Sequence, residues 1–303
     1  MAEAHRRRRP RGVLRKTVQA ASGLLQNGHL SGFVSGHIYT GGLKRFCVPG
    51  LNCYSCPGAL GACPLGALQL LPAAGRARTG CYVLGWLAAL GLLAGRFICG
   101  WLCLFGLIQE LLYRLPVRKL VLPPRLDRRL RRLKYLLLAL TVLLLPLILR
   151  DEYGVSVPYF CKWLCPAGML EGGLPLLLLN KALRPAAHWL YAWKALLLAL
   201  FLAASAVIQR PFCKYVCPLG AFYSLFQRVS LLRLKHRPAA CTGCCGCAEV
   251  CVMGVDPRQG ANGTECIRCG ACVSACPTGA LSFSFSGREL RKRTAGREAA
   301  RRI

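Results

Sequence analysis

Eight cysteines near the C-terminus repeat one spacing twice, and this repeat limits what the chain can fold into more than any other feature. The two copies are Cys241-x2-Cys244-x2-Cys247-x3-Cys251 and Cys266-x2-Cys269-x2-Cys272-x3-Cys276. Two-residue spacers let three sulfurs of one tight loop converge, and a cubane iron–sulfur cluster needs four thiolates. The repeat therefore predicts two [4Fe–4S] clusters.

The fourth thiolate of each predicted cluster comes from the other copy of the repeat, as in two-cluster ferredoxins. One predicted ligand set is Cys241, Cys244, Cys247 and Cys276. The other is Cys266, Cys269, Cys272 and Cys251. This exchange places the two clusters close enough for electrons to pass between them.

Four-cysteine zinc sites are the alternative, because zinc also accepts C-x2-C pairs. Zinc would use two such pairs per site and would leave the third cysteine and the C-x3-C ending of each repeat without a role. The ligand run therefore favours iron–sulfur clusters. Cys245, an additional thiol inside the first repeat, is either a small apolar filler or a spare ligand, and filler is the favoured interpretation.

The rest of the chain is both apolar and basic. Of the 303 residues 54% are hydrophobic, and 41 Lys and Arg stand against 11 Asp and Glu. In a soluble protein this charge would suggest nucleic-acid binding, but a mean hydropathy of +0.41 indicates a membrane protein. We therefore expect membrane lipid as a partner and no nucleic acid.

Four stretches are candidate membrane helices, since a bilayer core about 30 Å thick needs about 20 mostly apolar residues. They are residues 17–43, 79–95, 135–149 and 195–209. Lys and Arg concentrate on alternate sides of these stretches, which predicts that both termini lie in the cytoplasm. The expected location is the inner cell membrane.

The predicted fold is mainly α-helical, with about four transmembrane helices, interrupted or re-entrant cysteine-bearing helices, and a C-terminal α+β domain that resembles a bacterial 2[4Fe–4S] ferredoxin. The predicted domains are a basic N-terminus over 1–16, a membrane domain over 17–237, the ferredoxin-like domain over 238–286, and a basic tail over 287–303. A reducing cytosol suits exposed thiolate-bound clusters. The basic tail suits anionic lipid headgroups.

Three C-x3-C pairs form an internal repeat within the apolar part of the chain. They are Cys99/Cys103, Cys161/Cys165 and Cys213/Cys217. Residues i and i+4 share one helix face, so each pair presents two sulfurs together. Proline after the second cysteine favours a helix break, and broken helices at membrane depth line sites. The first and third pairs lie on the same predicted side, where four thiols suit a further cluster, a bound metal or two redox-active dithiols.

A loop rich in Cys, Pro and Gly lies on the opposite predicted side, together with the second C-x3-C pair. Its thiols are Cys47, Cys53, Cys56 and Cys63. The turn-forming residues argue against a continuous helix. Structural disulfides are one interpretation of the six gathered thiols. A cluster or a soft-metal site is the favoured one. Cys81 stands alone at a helix start, and we expect it to serve packing.

These motifs resemble those of the NapH/NosR-like family of polytopic 4Fe–4S membrane proteins. Cys161-Lys-Trp-Leu-Cys165-Pro and Cys213-Lys-Tyr-Val-Cys217-Pro match the C-x3-C-P signature in full, whereas Leu104 replaces proline after Cys103. The resemblance implies electron transfer between the quinone pool or cytoplasmic carriers and a partner reductase or maturation system. Relatives with the same motifs are tied to copper reduction during oxidase assembly.

The predicted function is membrane-bound electron transfer through the two clusters and the thiol pairs, to or from a redox partner protein or quinone. We expect a component of an oxidoreductase system more than a stand-alone enzyme, because no acid–base or nucleophile constellation stands out. The alternatives are a thiol-based copper or metal reductase or assembly factor, and a redox-sensing membrane regulator. Arg96 and Glu110 flank the first thiol pair, and a structural ion pair between them is favoured over a quinone proton path.

Overall fold

The computed structural model describes residues 10–70, 77–149, 156–180, 184–185 and 188–290. Most of the predicted basic N-terminus and basic tail lies outside these ranges. Within them the chain is mainly helical, so the mainly α prediction is confirmed.

Short helices separated by turns make up most of the chain. The first seven are α1 Pro10–Gln26, α2 Ser31–Ser35, α3 Pro64–Leu70, α4 Ala77–Ala94, α5 Phe97–Trp101, α6 Leu104–Leu112 and α7 Pro124–Leu137. The next six are α8 Leu145–Ile148, α9 Pro166–Gly168, α10 Leu174–Leu179, α11 Trp189–Val207, α12 Pro211–Tyr215 and α13 Pro218–Leu225. Wider π-helical segments are Leu138–Leu144, Phe160–Leu164 and Met169–Gly173. Short 3-10 turns are Gly42–Arg45 and Pro238–Ala240.

An antiparallel three-stranded sheet encloses the cysteine-rich C-terminal segment. Its strands are β1 Leu232–His236, β2 Leu281–Phe285 and β3 Arg288–Glu289, in the order β1-β2-β3. Leu232 pairs with Phe285 and His236 with Leu281, so both cysteine repeats lie between two paired strands. The intervening helices are α14 Gly246–Glu249, α15 Pro257–Gly260 and α16 Ala271–Ala275. Strand β1 precedes the predicted boundary at residue 238, because the pairing needs a strand on each side of the repeats.

Each C-x3-C pair spans a break between two helices. The second cysteine has extended backbone in all three pairs, with ψ of 115° at Cys103, 111° at Cys165 and 110° at Cys217. A new helix begins at the next residue in each case. Pro166 and Pro218 suit the first helical position, where a missing N–H has no cost. The break at Leu104 has the same backbone without proline.

By length and composition, one described helix, α11, could cross a membrane, with a mean hydropathy of 1.9 over its best window. Cys81–Ala94 and Pro166–Leu179 are shorter apolar helices. The predicted span at 17–43 is not one helix. Its first helix ends at Gln26, where Asn27 folds its side chain back onto the Gly23 carbonyl at 3.0 Å and Gly28 follows.

Helix α1 presents its polar side to the protein and its apolar side outward. Gln19 is fully buried, whereas Leu24 and Leu25 are 73% and 75% exposed. The buried Arg15 donates to the Gly100 carbonyl at 3.1 Å and also pairs with Glu110. A helix in water normally buries its apolar stripe, and an exposed apolar face of this kind marks contact with a partner or a membrane.

A buried ionic cluster joins the C-terminal part to the helices. The carboxylate of Glu265 lies 2.6 Å from Lys134, 3.1 Å from Arg96 and 3.7 Å from Arg131. These four charges lie close together because Cys266, the residue after Glu265, begins the second cysteine loop, which packs against α5. The predicted ion pair between Arg96 and Glu110 is wrong. The helix break at Cys103 turns Glu110 toward Arg15 and Arg210, so Arg96 pairs with Glu265 instead.

We predict that Glu265→Gln weakens the attachment of the C-terminal part, because it leaves Arg96 and Lys134 buried without their counter-charge. Breaking a buried pair on one side costs about 3 kcal/mol or more. Native-state proteolysis, which reports the free energy of opening, measures the change. Glu289→Gln is the matched control, since its partner Arg237 is 58% exposed and such pairs contribute less than about 1 kcal/mol. Equal protease sensitivity of the two variants would contradict the prediction.

Candidate iron–sulfur sites

Two cavities in the C-terminal part are lined by cysteines from both copies of the repeat. One cavity is lined by Cys251, Cys266, Cys269 and Cys272, which we call the proximal set. The other is lined by Cys241, Cys244, Cys245, Cys247 and Cys276. We call Cys241, Cys244, Cys247 and Cys276 the distal set, because these four are the repeat positions. Each cavity thus gathers the first three repeat cysteines of one copy and the last cysteine of the other. The two groupings are those that the interleaved ligand rule gives, and their donor sets fit [4Fe–4S] clusters.

The two cysteine loops follow the same backbone path. Left-handed backbone occurs at Gly243 and Cys245 in the first loop and at the equivalent Arg268 and Gly270 in the second, with φ between 50° and 79°. In each loop, two of the five residues between the first and third cysteines are left-handed, and they curl the chain so that three sulfurs face one point. Cys245 thus occupies the place of Gly270, and its side chain is exposed. The interpretation of Cys245 as a packing filler is therefore wrong.

Burial keeps the Cys266 thiol protonated until iron binds. Its pKa is raised to about 11, mainly by burial and also by the neighbouring Cys269 and Cys251, while a backbone hydrogen bond from Arg268 acts in the opposite direction. Iron must displace these protons, because thiolates and not thiols are ligands. The sites are therefore suited to a group that supplies strong positive charge.

A third set of thiols gathers the first and third C-x3-C pairs. Its members are Cys99, Cys103, Cys213 and Cys217, all buried. Each lies within electrostatic range of the others. Gly100, inside the first pair, approaches the Ile267 carbonyl and Cys269, so the third set lies directly beside the proximal set.

A fourth set gathers the second C-x3-C pair and two thiols of the cysteine-rich loop. Its members are Cys53, Cys63, Cys161 and Cys165. Cys47 and Cys56 of the same loop are also buried: Cys56 donates to the Glu171 carbonyl at 3.0 Å, and Cys47 packs in the same core as Cys63 and Cys165. Cys81 is exposed, so its predicted packing role is wrong. All twenty cysteines lie in the described ranges, and each is a free thiol there.

Two glutamines that the sequence analysis did not single out connect members of the third and fourth sets, which we together call the inner sets. Gln109 accepts from the Phe212 N–H at 3.2 Å and donates to Cys213 Sγ at 3.2 Å. Gln69 likewise accepts from the Phe160 N–H at 2.9 Å and donates to Cys161 Sγ at 3.2 Å. Each follows a cysteine by six residues, Cys103 and Cys63 respectively. The repeated offset is the sequence signal that would have found them.

Two further residues have the same offset and tie the cysteine-rich loop to the helices. Glu171, six residues after Cys165, accepts from the Cys53 N–H at 2.8 Å. Tyr223, six residues after Cys217, donates to the Pro49 carbonyl at 2.9 Å. The buried Tyr223 phenol is near Cys99 and Cys103 of the third set and Cys63 of the fourth, so it lies between the two sets.

Across the described ranges, no three His, Cys, Asp or Glu side chains lie close enough to share one metal ion.

A shared apolar core connects the sets. Members of the proximal, third and fourth sets pack in one core with Val252, Met253 and Ile267. Cys247 of the distal set and Cys272 of the proximal set pack together with Leu234 and Leu281. The distal set thus neighbours the proximal set, the proximal set lies beside the third at Gly100, and Tyr223 lies between the third and the fourth, which gives the order distal, proximal, third and fourth.

Known protein families match the same segments. A family profile described as "4Fe-4S binding domain" matches residues 82–123, 135–181 and 189–237, and each segment contains one C-x3-C pair. A second profile with the same description matches residues 262–282, which hold the second cysteine loop. No solved structure matches the chain.

Several curated proteins are similar to the chain. It is 41% identical over 102 residues to one uncharacterised protein of Methanocaldococcus jannaschii, covering 34% of the chain and 42% of that protein. It is 32% identical over 203 residues to another protein of that organism, covering 66% and 76%. YccM of Escherichia coli, named as an electron transport protein, is 29% identical over 219 residues, covering 71% of the chain and 52% of YccM. The chain therefore spans about half the length of two of these three relatives.

The fold and the cysteine sets define an iron–sulfur protein of the ferredoxin type, and electron transfer is the role that its relatives support. Shorter matches reach the ferredoxin-type proteins NapH of Haemophilus influenzae and MauN of Methylorubrum extorquens. The chain belongs to the NapH-like family of 4Fe–4S proteins.

We predict that Cys251→Ala abolishes the centre of the proximal set and leaves the distal one intact. The chain should lose about four iron atoms, the content of one cubane, as measured by iron and acid-labile sulfide on protein purified without oxygen. Cys81→Ala is the control, because Cys81 is exposed and lines neither cavity, and it should lose none. Retained iron in Cys251→Ala, or loss in Cys81→Ala, would show that the ligand assignment is wrong.

Proposed function

We propose that the chain is a multi-pass membrane protein that passes single electrons along four [4Fe–4S] clusters held by the distal, proximal, third and fourth sets. The observation that carries this proposal is the succession of four cysteine sets through two connected apolar cores. A cubane cluster accepts and releases one electron at a time. The protein's own residues supply the thiolates, exclude water and fix the distances between the sets.

The distal set is the end that meets a soluble partner. Cys244 is exposed, whereas every thiol of the third set is buried. Electron transfer between proteins requires close approach of an exposed centre. We therefore assign exchange with a cytoplasmic redox protein to the distal end, and exchange with quinone or a membrane partner to the fourth set.

Placement in a membrane is supported by the outward-facing apolar side chains. Leu24 and Leu25, on a helix whose Arg15 and Gln19 are buried, are each more than half exposed, and so are Leu147 and Ile148 of α8. Trp189 and Trp193, at the start of α11, suit the interface of a bilayer. The helical run from α7 through α8 and helices α4 and α11 are the proposed spans. The basic helix α7 begins on the cytoplasmic side in this arrangement, as the distribution of Lys and Arg favours.

The iron content of the whole chain tests the number of clusters. Four sets predict about sixteen iron atoms per chain, and Cys165→Ala should lower this by about four. Cys81→Ala is the control, since this exposed thiol belongs to no set. A wild-type value near eight would confine the clusters to the C-terminal part and would contradict the proposal for the third and fourth sets.

Sealed proteoliposomes test the path. We expect external dithionite to reduce ferricyanide trapped inside vesicles that contain the wild-type protein, because the four sets form a continuous route. Cys165→Ala should slow this reduction to the rate of empty vesicles, while Cys81→Ala should not. Equal rates with wild-type protein and with Cys165→Ala would exclude the fourth set from the route.

A further inference from the structure

The third and fourth sets are built alike, which makes their surroundings comparable. In each set a glutamine six residues after one cysteine donates to the first cysteine of the facing C-x3-C pair, at 3.2 Å. In each the last cysteine begins a helix with proline and has glycine three residues later, at Gly168 and Gly220. A hydrogen bond to sulfur and a helix start therefore affect both sets equally.

Charge is where the two sets differ. Arg96 and Arg210 precede Cys99 and Cys213 by three residues, and both are fully buried. Their bonds are reciprocal: Arg96 donates to the Cys213 carbonyl at 3.3 Å and Arg210 to the Cys99 carbonyl at 3.0 Å. Pro158 occupies the equivalent place before Cys161.

Glycines make room for the two guanidinium groups. A Cβ atom at Gly106 would lie 3.0 Å from Arg210 Nη1, and one at Gly220 would lie 3.4 Å from Arg96 Nη2. The fourth set fills the same spaces differently. Tyr54 packs on Gly66, and the half-buried Lys194 approaches Gly168 and donates to the Cys161 carbonyl at 3.3 Å. The carboxyl of Glu171 also faces the fourth set.

Buried cations outnumber buried acids beside the third set. The buried cations are Arg15, Arg96, Lys134, Arg210 and Lys214, and the half-buried Arg131 lies with them; the acids are the buried Glu110 and the half-buried Asp127 and Glu265. Within the described part of the chain, Nε of Arg96 and of Arg210 has no hydrogen-bond partner. Uncompensated buried charge is strongly unfavourable, so the arrangement calls for a further anion at this place. Four thiolates around an iron–sulfur core carry about two net negative charges.

We propose that Arg96 and Arg210 balance the charge of the centre in the third set and hold its reduction potential above that of the fourth set. This inference rests on the proposed function, since it requires a cluster in each inner set. Net charge and hydrogen bonding at the sulfurs set cluster potentials. Two fully buried cations stabilise the more negative, reduced form of the third centre, whereas the fourth set has two half-buried lysines, Lys44 and Lys194, beside a carboxyl. An electron shared between the two centres therefore resides mainly on the third.

Redox titration followed by EPR tests this proposal on the full chain purified without oxygen. Cys103→Ala and Cys165→Ala first assign the signals of the third and fourth centres by their loss. Arg96→Gln and Arg210→Gln should each lower the potential of the third centre by at least a tenfold change in its reduction equilibrium, which is about 59 mV for one electron. Arg96→Lys and Arg210→Lys keep the charge and should stay within that limit. Lys194→Gln is the reciprocal control and should lower the fourth centre's potential alone.

A variant with the opposite expected effect on the potential tests the inference even if the glutamine variants assemble no third centre. Glu110→Gln removes the acid that lies 2.7 Å from Arg210, so it should raise the potential of the third centre. Four clusters with no shift in any arginine or Glu110 variant would overturn this inference and leave the proposed function in place. Iron near eight per wild-type chain, by the four-iron content of each cluster, would overturn both. A wild-type third centre with a potential below the fourth would overturn the inference as well.

Discussion

The need to bring four sulfurs to one point shapes nearly every other feature of this structure. In the C-terminal part, paired left-handed residues curl each loop so that three thiols face one cavity, and the sheet brings the fourth thiol from the other loop. In the helical part the same result comes from broken helices. Each second cysteine is extended and begins a new helix, so two pairs can face each other across a small space.

Charged side chains are buried close to these gathered thiols. Arg96 and Arg210, each directly before a helix of the third set, and Lys134 of α7 are all fully buried. Glu265 and Glu110 compensate part of that charge, and Glu265 at the same time attaches the C-terminal part to α5 and α7. The carboxylate of Glu265 thus stabilises the junction between the C-terminal part and the helices, and by doing so it also fixes the distance between the proximal and third sets. The attachment combines these ion pairs with apolar packing of Val252, Met253 and Ile267 against the helices, which favours a fixed geometry between neighbouring sets.

Local spacing along the chain is enough to group the proximal and distal sets, because ligand exchange between two repeats follows from the loop length alone. It is not enough for the fourth set. The cysteine-rich loop offers Cys47, Cys53, Cys56 and Cys63, and tertiary contacts with Glu171 and Gln69 decide which of them face Cys161. The partners of Arg96 and Glu110 are also beyond the reach of sequence patterns, since each lies far along the chain.

The membrane spans predicted from the sequence show a second limit of sequence patterns. Apolar composition identifies 195–209, which lies in α11 and its C-terminal turn, but it joins α1 to the turns after Gln26 as one span. Hydropathy counts residues and does not register that Arg15 and Gln19 face inward while the leucines of α1 face outward. Direction along a helix face, more than average composition, determines how such a segment meets its surroundings.

A coulometric reductive titration of the wild-type protein tests the central claim most directly, because it counts the electrons that the chain accepts. Four one-electron centres in one connected protein predict an uptake of about four electrons per chain at low potential, since each cubane accepts one. An uptake of about two electrons, with all absorbance change complete at that point, would contradict the account. It would leave the third and fourth sets as thiols that do not carry electrons.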